Sequence, residues 1–113
     1  MRLITAILQP GALENVQIAL AQHGINGMTV SDCTGYGRQA GHTEVYRGSE
    51  VTIDFIGKMR LEILVTDAEA GPVIDVIAQS ARTGEVGDGK IWSTPVDEVI
   101  RIRTGDRGDA ALL

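Results

Sequence analysis

The stretch Thr83 to Trp92, TGEVGDGKIW, carries the residue types best suited to hold a phosphate group. From Gly84 the spacing is G-x-x-x-x-G-K, which is one residue short of a P-loop. A P-loop also requires Ser or Thr after the lysine, to hold Mg²⁺, and a helix whose N-terminus faces the phosphates. Here Ile91 follows Lys90, and the residues after it are typical of a strand. We therefore reject a P-loop.

The same glycines still permit a different phosphate site. A glycine-rich turn between a helix and a strand can direct several backbone N–H groups into one concavity, and Lys90 adds a positive charge beside it. A plain helix-to-strand connection with one solvated lysine explains the composition equally well. The stretch alone leaves both interpretations open.

Arg101 and Arg103 form a second candidate phosphate site. The alternation of Val99 to Arg103 predicts a strand, and residues two apart in a strand lie roughly 6–7 Å apart on one face. Two guanidinium groups at that distance favour an anion between them, and a phosphate chain fits their geometry. The alternative is pairing with the nearby carboxylates Asp97, Glu98 or Asp106.

Composition excludes several other classes of function. The formal charge of −5 and the pI near 4.8 argue against a nucleic-acid partner. His23 and His42 have no Cys or carboxylate at metal-ligand spacing, so we expect no zinc site built from protein side chains alone. A single cysteine, Cys33, indicates a reducing cytoplasm. No apolar run is long enough to span a membrane.

The elements that must position these residues follow the order β-α-β-β-α-β, with a further C-terminal strand. We predict strands over Arg2–Leu8, Met28–Thr34, Lys58–Thr66 and Ile91–Pro95, and helices over Ala12–His23 and after Asp67, the latter with Pro72 near its start. This order is the split βαβ, or ferredoxin-like, arrangement of an α+β domain, and residues 1–113 form one domain. Two helices cover only one face of such a sheet, so we expect the other face to meet copies of the chain.

The segment between Gly35 and Gly57 is too long for a simple strand connection. Counting both ends, it contains five glycines and six charged or titratable residues, as well as aromatic and apolar residues, Tyr36 among them, that could dock on a partner. A loop of this length is usually functional or mobile. The alternative is a disordered insertion.

Three motifs resemble those of the PII nitrogen signal-transduction proteins. TGYGRQAGHTEVYRGSE, Thr34 to Glu50, resembles their T-loop, which would cover residues 36–54. TGEVGDGKIW resembles their C-terminal signature, and VIRIRTG, Val99 to Gly105, their last strand. The opening MRLITAILQPGALENVQIAL fits as well, so that the resemblance covers essentially the whole chain.

The resemblance implies a homotrimer of ferredoxin-like subunits that binds ATP or ADP in clefts between subunits. The implied nucleotide-binding residues are Thr29, Gly37, Arg38, Glu62, Gly87, Gly89, Lys90, Arg101 and Arg103, the last two from a neighbouring subunit. It also implies 2-oxoglutarate as an effector. Gln39 would hold Mg²⁺ together with the ATP phosphates, and Lys58 would pair with the distal carboxylate of the 2-oxo acid.

The resemblance further implies a regulator rather than an enzyme, which contacts targets through Tyr46, Arg47 and Ser49. An ammonium transporter or a nitrogen-metabolism enzyme is the expected target, so that a cytoplasmic protein could be recruited to the inner face of the membrane. Val51 stands where the family carries its modified tyrosine, so nucleotidylylation at position 51 is chemically impossible. Ser49 matches a serine that is phosphorylated in the cyanobacterial branch.

Three further positions depart from the family pattern and keep an alternative open. Gln9 replaces a common basic residue that helps hold 2-oxoglutarate in some members, Ala40 a common lysine, and Gly57 a common proline. Val51 and Gln9 favour a PII-like sensor of carbon metabolism that binds adenine nucleotide with bicarbonate, whereas Gln39 and Lys58 favour 2-oxoglutarate. A nucleotide hydrolase or kinase is the third hypothesis, but no general base stands beside the glycine turn.

Overall fold

The structure is a computed structural model that describes residues 1–36, 42–46, 49–53 and 55–113, of which 42–46 and 49–53 are described by their backbone alone. Six strands and two α-helices follow one another in the described parts of the chain. In chain order they are β1 (Arg2–Leu8), α1 (Leu13–Gln22), β2 (Thr29–Gly35), β3 (His42–Tyr46), β4 (Ser49–Ile53), β5 (Ile56–Val65), α2 (Asp67–Ala81) and β6 (Gly89–Pro95). Short 3₁₀ turns cover Pro10–Ala12 and Gly108–Leu112.

Four of the strands form an antiparallel sheet in the order β2-β5-β1-β6. Strands β3 and β4 pair with each other and form a separate two-stranded sheet within residues 36–54. The two central strands, β1 and β5, are joined to the edge strands by α1 and α2, as in a split βαβ unit. The predicted ferredoxin-like α+β fold is confirmed.

The core lies between the sheet and the two helices. Alternate residues of β1 and β5 are fully or almost fully buried on this side, because successive side chains of a strand point to opposite faces. The helices contribute one apolar stripe each. The core residues are Ile4, Ala6, Leu8, Leu61, Ile63 and Val65 from the strands and Val16, Leu20, Ala70, Val73, Ile77 and Ala81 from the helices.

Within the described residues, neither helix packs on the opposite face of the sheet. Thr5 lies at its centre and is 1% exposed, between Glu62 on β5 and Trp92 on β6. Leu64 and Trp92 on this face are each 42% exposed. The sheet therefore has one covered face and one face with large apolar side chains in contact with solvent.

Helix α2 begins at a complete capping box. The Thr66 hydroxyl accepts a hydrogen bond from the Glu69 N–H (3.3 Å), and the Glu69 carboxylate accepts one from the Thr66 N–H (3.2 Å). Two backbone donors at the start of the helix are thereby satisfied. Pro72 is the sixth residue of α2 and so lies inside the helix, further from its start than we predicted, where it cannot donate to the carbonyl group of Ala68.

The predicted C-terminal strand, Val99 to Arg103, is wrong. Ile100 forms only an isolated antiparallel bridge with Arg107, and the chain reverses between them. The Gly105 N–H donates to the Arg101 carbonyl (2.8 Å), and Gly105 adopts φ +75°, a conformation that glycine reaches without strain. The local alternation is genuine, but the segment folds back on itself instead of pairing with the four-stranded sheet.

No helix in the described residues is long and apolar enough to cross a membrane.

Candidate functional site

The glycine-rich stretch forms the turn that connects α2 to β6. Helix α2 ends at Ala81 and β6 begins at Gly89, so Lys90 lies on a strand and not on a helix. Gly84, Gly87 and Gly89 adopt positive φ angles of 88°, 104° and 100°. This backbone geometry agrees with the rejection of a P-loop.

Gly89 also fits a space that no side chain can enter. A Cβ atom built on Gly89 would lie 1.7 Å from the Ile7 carbonyl oxygen and 2.8 Å from the Ile7 carbonyl carbon. Gly89 faces Leu8 in the β1–β6 ladder, and its neighbour Lys90 faces Ile7. Close backbone packing at this point fixes the end of the glycine turn against β1.

The carboxylate of Asp88 closes the turn from within. It accepts hydrogen bonds from the N–H groups of Thr83 (2.8 Å) and Gly84 (2.9 Å) and a short hydrogen bond from the Thr83 hydroxyl. The hydrogen bond from the Thr83 hydroxyl, and then those from the two N–H groups, hold the pKa of Asp88 below its usual value, because they favour the charged carboxylate.

A cleft of about 700 Å³ lies between this turn and the end of β2. Its size falls within the range of small-molecule sites, which is about 300–1,000 Å³. Both lysines of the sequence, Lys58 and Lys90, line it together with the glycine turn. The other lining residues are Ile7, Gly35, Tyr36, Ile56 and Trp92 together with residues 85–89 of the turn. The cleft therefore joins the glycine turn to the point where the long loop, residues 36–54, begins.

Lys58 connects the two walls of the cleft. It lies on β5, opposite Cys33 of β2, and is only 9% exposed. Its ammonium group donates a hydrogen bond to the Gly87 carbonyl oxygen (2.8 Å). A cation so close to the turn favours an anionic ligand, because burial strengthens the attraction between charges.

Thr29 and Glu62 form a neighbouring pair on the open face of the sheet, away from the lining of the cleft. They are opposite each other in the β2–β5 ladder. Glu62 accepts a hydrogen bond from Arg60 (Nε to Oε1, 3.1 Å). These two predicted nucleotide-binding residues therefore lie together, and Glu62 is four residues along β5 from Lys58.

Arg101 and Arg103 do not line the cleft of their own chain. The Arg101 guanidinium donates to the Asp106 carboxylate (3.1 Å), to the Ala110 carbonyl (3.1 Å) and to the backbone oxygen of Leu113. This is the carboxylate pairing that the sequence left open as the alternative. Arg103 is exposed and makes no hydrogen bond or ion pair with a described residue.

The remaining predicted site residues belong to the long loop. Gly37, Arg38, Gln39 and Arg47 lie outside the described residues. Tyr46 and Ser49 face each other in the β3–β4 ladder, as its last pair. The predicted contacts of these residues with Mg²⁺, nucleotide or a target protein stay predictions.

Sequence reasoning missed the apolar lining of the cleft and the role of Asp88. Ile7 and Trp92 lie on β1 and β6 and line the cleft only because the two strands pair. Tyr36 also lines the cleft, whereas the sequence indicated only that it could dock on a partner. The one local signal for Asp88 was a threonine five residues before a carboxylate across a glycine-rich turn, a spacing that permits side-chain to backbone hydrogen bonds.

The architecture and the cleft define the class of the protein, a ferredoxin-like α+β domain with a glycine turn and two lysines at the base of a long hairpin loop. Within that class, the family model described as "Nitrogen regulatory protein P-II" matches residues 1–106. The chain belongs to this family.

Individual relatives are similar over almost the whole chain. The nitrogen regulatory protein P-II of Nostoc punctiforme is 52% identical over 112 residues, which cover 99% of this chain and all of the relative. Nitrogen regulatory protein P-II 1 of Escherichia coli is 50% identical over the same coverage. Arabidopsis thaliana PII, solved with citrate bound, superposes with a TM-score of 0.81 at 40% identity and covers 97% of this chain and 90% of its own.

Members of the family are signal-transduction regulators that bind small effectors and act on target proteins, and they are not enzymes. The resemblance that the sequence indicated is thereby confirmed, and so is the prediction of a regulator.

Proposed function

We propose that the chain senses adenine nucleotides, with the phosphates of ATP or ADP bound by Gly87, Gly89 and Lys90 in the cleft. One observation carries the proposal: the cleft brings the glycine turn, both lysines and the base of the long loop together in about 700 Å³. The N–H groups of Val86 and Gly87 donate no hydrogen bond to any described residue and are therefore available to an anion. These donors and Lys90 fit a phosphate group.

A second effector, 2-oxoglutarate, would bind beside the nucleotide. The Lys58 ammonium would pair with its distal carboxylate, and Gln39 would complete a Mg²⁺ site that the ATP phosphates supply in part. Mg²⁺ requires six oxygen ligands, and the described residues include no cluster of three or more acidic, His or Cys side chains that could hold a metal ion. The citrate in Arabidopsis PII supports a carboxylate effector, because it shows that a relative binds a small polycarboxylate.

The site would be completed by a second copy of the chain within a homotrimer. Arg101 and Arg103 lie outside the cleft of their own chain, so they would reach the phosphates only from a neighbouring subunit. Arg38 and Gly37 would add contacts from the base of the loop, and Thr29 and Glu62 from the nucleoside side. The open sheet face, with exposed Leu64 and Trp92, supports burial between copies.

The loop of residues 36–54 would carry the signal to a target protein through Tyr46, Arg47 and Ser49. The target that we propose is an ammonium transporter or a nitrogen-metabolism enzyme. The chain itself would be cytoplasmic, and binding to a transporter would recruit it to the membrane. A nucleotide or an effector changes the pose of the loop only through unequal affinity for its alternative states. Val51 excludes control by nucleotidylylation at that position.

Isothermal titration calorimetry with ATP and Mg²⁺ tests the proposal, with 2-oxoglutarate and bicarbonate added in separate experiments. We expect ATP to bind and 2-oxoglutarate to release heat only when ATP and Mg²⁺ are present. Lys90→Ala should weaken ATP binding at least tenfold, because it removes a charge-assisted contact of about 1.5–3 kcal/mol. Arg82→Ala is the matched control, since it removes a positive charge from the same connection but outside the cleft.

Two outcomes would contradict the proposal. If ATP and ADP give no heat at millimolar concentration, the cleft does not bind nucleotides. If bicarbonate binds with ATP and 2-oxoglutarate does not, the chain is a sensor of the carbon-metabolism type that Gln9 and Val51 favour.

A further inference from the structure

The glycine turn divides its backbone donors into two sets. The N–H groups of Thr83 and Gly84 donate to the Asp88 carboxylate at 2.8 and 2.9 Å, and the Glu85 N–H donates to the Thr83 hydroxyl at 3.3 Å. The next two N–H groups, those of Val86 and Gly87, donate to no described residue. The first half of the turn is therefore satisfied internally, and the second half, which lines the cleft, keeps two donors available.

Because the turn contains three glycines, side-chain contacts are needed to hold it in one conformation. Gly84, Gly87 and Gly89 have positive φ angles, and glycine reaches many other conformations at little cost. A turn of this composition does not hold one shape through its backbone preferences alone. Gly89 is fixed by its contact with Ile7, and Lys58 holds the Gly87 carbonyl group. The start of the turn is held by the hydrogen bonds that Asp88 accepts from Thr83 and Gly84.

We propose that Asp88 and Thr83 are positioning residues that hold the glycine turn in the shape that receives a phosphate. We call the hydrogen bonds between Asp88 and residues 83 and 84 the Asp88–Thr83 clasp. The inference rests on the proposed nucleotide binding, and it adds two residues that need not touch the nucleotide. A carboxylate beside a phosphate would ordinarily repel it. Here three hydrogen bonds from residues 83 and 84 offset the negative charge of Asp88 and fix its position.

The Thr83 hydroxyl group makes two hydrogen bonds within the turn. It donates to the Asp88 carboxylate and accepts from the Glu85 N–H. Serine preserves both hydrogen bonds, whereas valine has nearly the same shape and preserves neither. Thr83 therefore permits a test in which the hydroxyl group alone is removed and restored.

The experiment measures ATP affinity by calorimetry for the wild type, Thr83→Val, Thr83→Ser, Asp88→Ala and the double variant Thr83→Val/Asp88→Ala. We expect Thr83→Val and Asp88→Ala each to weaken ATP binding about tenfold, and Thr83→Ser to stay within about twofold of the wild type. The double variant should bind no more weakly than Asp88→Ala, because both changes remove one clasp. Adenosine, which has no phosphate, should bind all variants equally.

Thr66→Ala is the control for a loss of stability. It removes the capping box at the other end of α2 and leaves the turn unchanged, so its ATP affinity should equal that of the wild type. Two results would overturn the clasp: Thr83→Val with wild-type affinity, or a double variant in which the two losses multiply.

Amide hydrogen exchange in the ligand-free protein separates this inference from the proposed function. The amides of Thr83 and Gly84 should exchange slowly in the wild type and at least tenfold faster in Asp88→Ala. Unchanged exchange would overturn the clasp even if the protein binds ATP. If exchange is faster in Asp88→Ala but the wild type does not bind ATP, the phosphate role and the proposed function are both refuted. The conclusion that Asp88 holds the turn would still stand.

Discussion

Replacing Gly89 by alanine tests whether the glycine turn is fixed against β1. The new Cβ atom would lie 1.7 Å from the Ile7 carbonyl oxygen, whereas real Cβ atoms essentially never approach another atom within 3.0 Å. The obstacle is backbone and cannot rotate away. The turn or the end of β1 must therefore move apart, which breaks one or two hydrogen bonds of the β1–β6 ladder near Ile7 and Lys90.

The expected loss of stability has two parts. Alanine at positive φ costs about 1–2 kcal/mol, and each ladder hydrogen bond that breaks costs about 0.5–1.5 kcal/mol. Gly89→Ala should therefore lower the free energy of unfolding by about 1.5–5 kcal/mol. Gly84→Ala is the matched control, because Gly84 has a similar φ of 88° but nothing within 4 Å of the added atom. It should lose only the first part, about 1–2 kcal/mol.

Urea denaturation followed by circular dichroism measures both variants. All samples need the same protein concentration, because association of copies would shift the apparent stability. A difference of less than about 0.5 kcal/mol between Gly89→Ala and Gly84→Ala would refute the close contact with Ile7, since the two variants differ only in what the new methyl group meets.

Four other predictions concern single residues. Thr66→Ala should lower the free energy of unfolding by about 1 kcal/mol, with Thr66→Ser near the wild type, because only the hydroxyl completes the capping box. Gly71→Ala should raise it by about 0.5–1 kcal/mol, since Gly71 lies exposed inside α2 with open space around it; a lower urea midpoint would contradict this. The lowered pKa of Asp88 means that its stabilisation is complete above its unfolded value near 4 and is lost as the pH falls through the folded value, so Asp88→Asn should flatten the acid side of a pH–stability curve. Asp106→Asn should tighten ATP binding, measured by calorimetry, because it weakens the hold on Arg101; weaker binding would speak against a phosphate role for that arginine.

Most of the fold could be predicted because the local pattern and the tertiary structure agree. The alternation in β5 buries Leu61, Ile63 and Val65 on one face, as the sequence indicates. The prediction of a C-terminal strand over Val99 to Arg103 failed for a physical reason. Alternation shows that a segment can be a strand but not that a sheet edge is available to it, and Gly105 permits the reversal that pairs Ile100 with Arg107 instead.

The candidate site could be predicted where it depends on neighbours in sequence. The glycine turn and Lys90 are contiguous, so their role is visible in the printed residues. Lys58 reaches Gly87 across 29 positions, and Ile7 blocks Gly89 across more than 80. Such contacts depend on which strands pair, and no local spacing encodes them. The family resemblance, and not periodicity, connected Lys58 to the site.

Trp92 lies where its fluorescence would report whether the cleft is occupied. Trp92 is the only tryptophan in the sequence, it lines the cleft, and it remains 42% exposed. A molecule that enters the cleft would displace water from the indole ring and change its emission, with no other indole to dilute the signal. Fluorescence of the unlabelled protein would then follow occupancy on the time scale of mixing, and the same readout would remain valid for effectors that have not yet been considered.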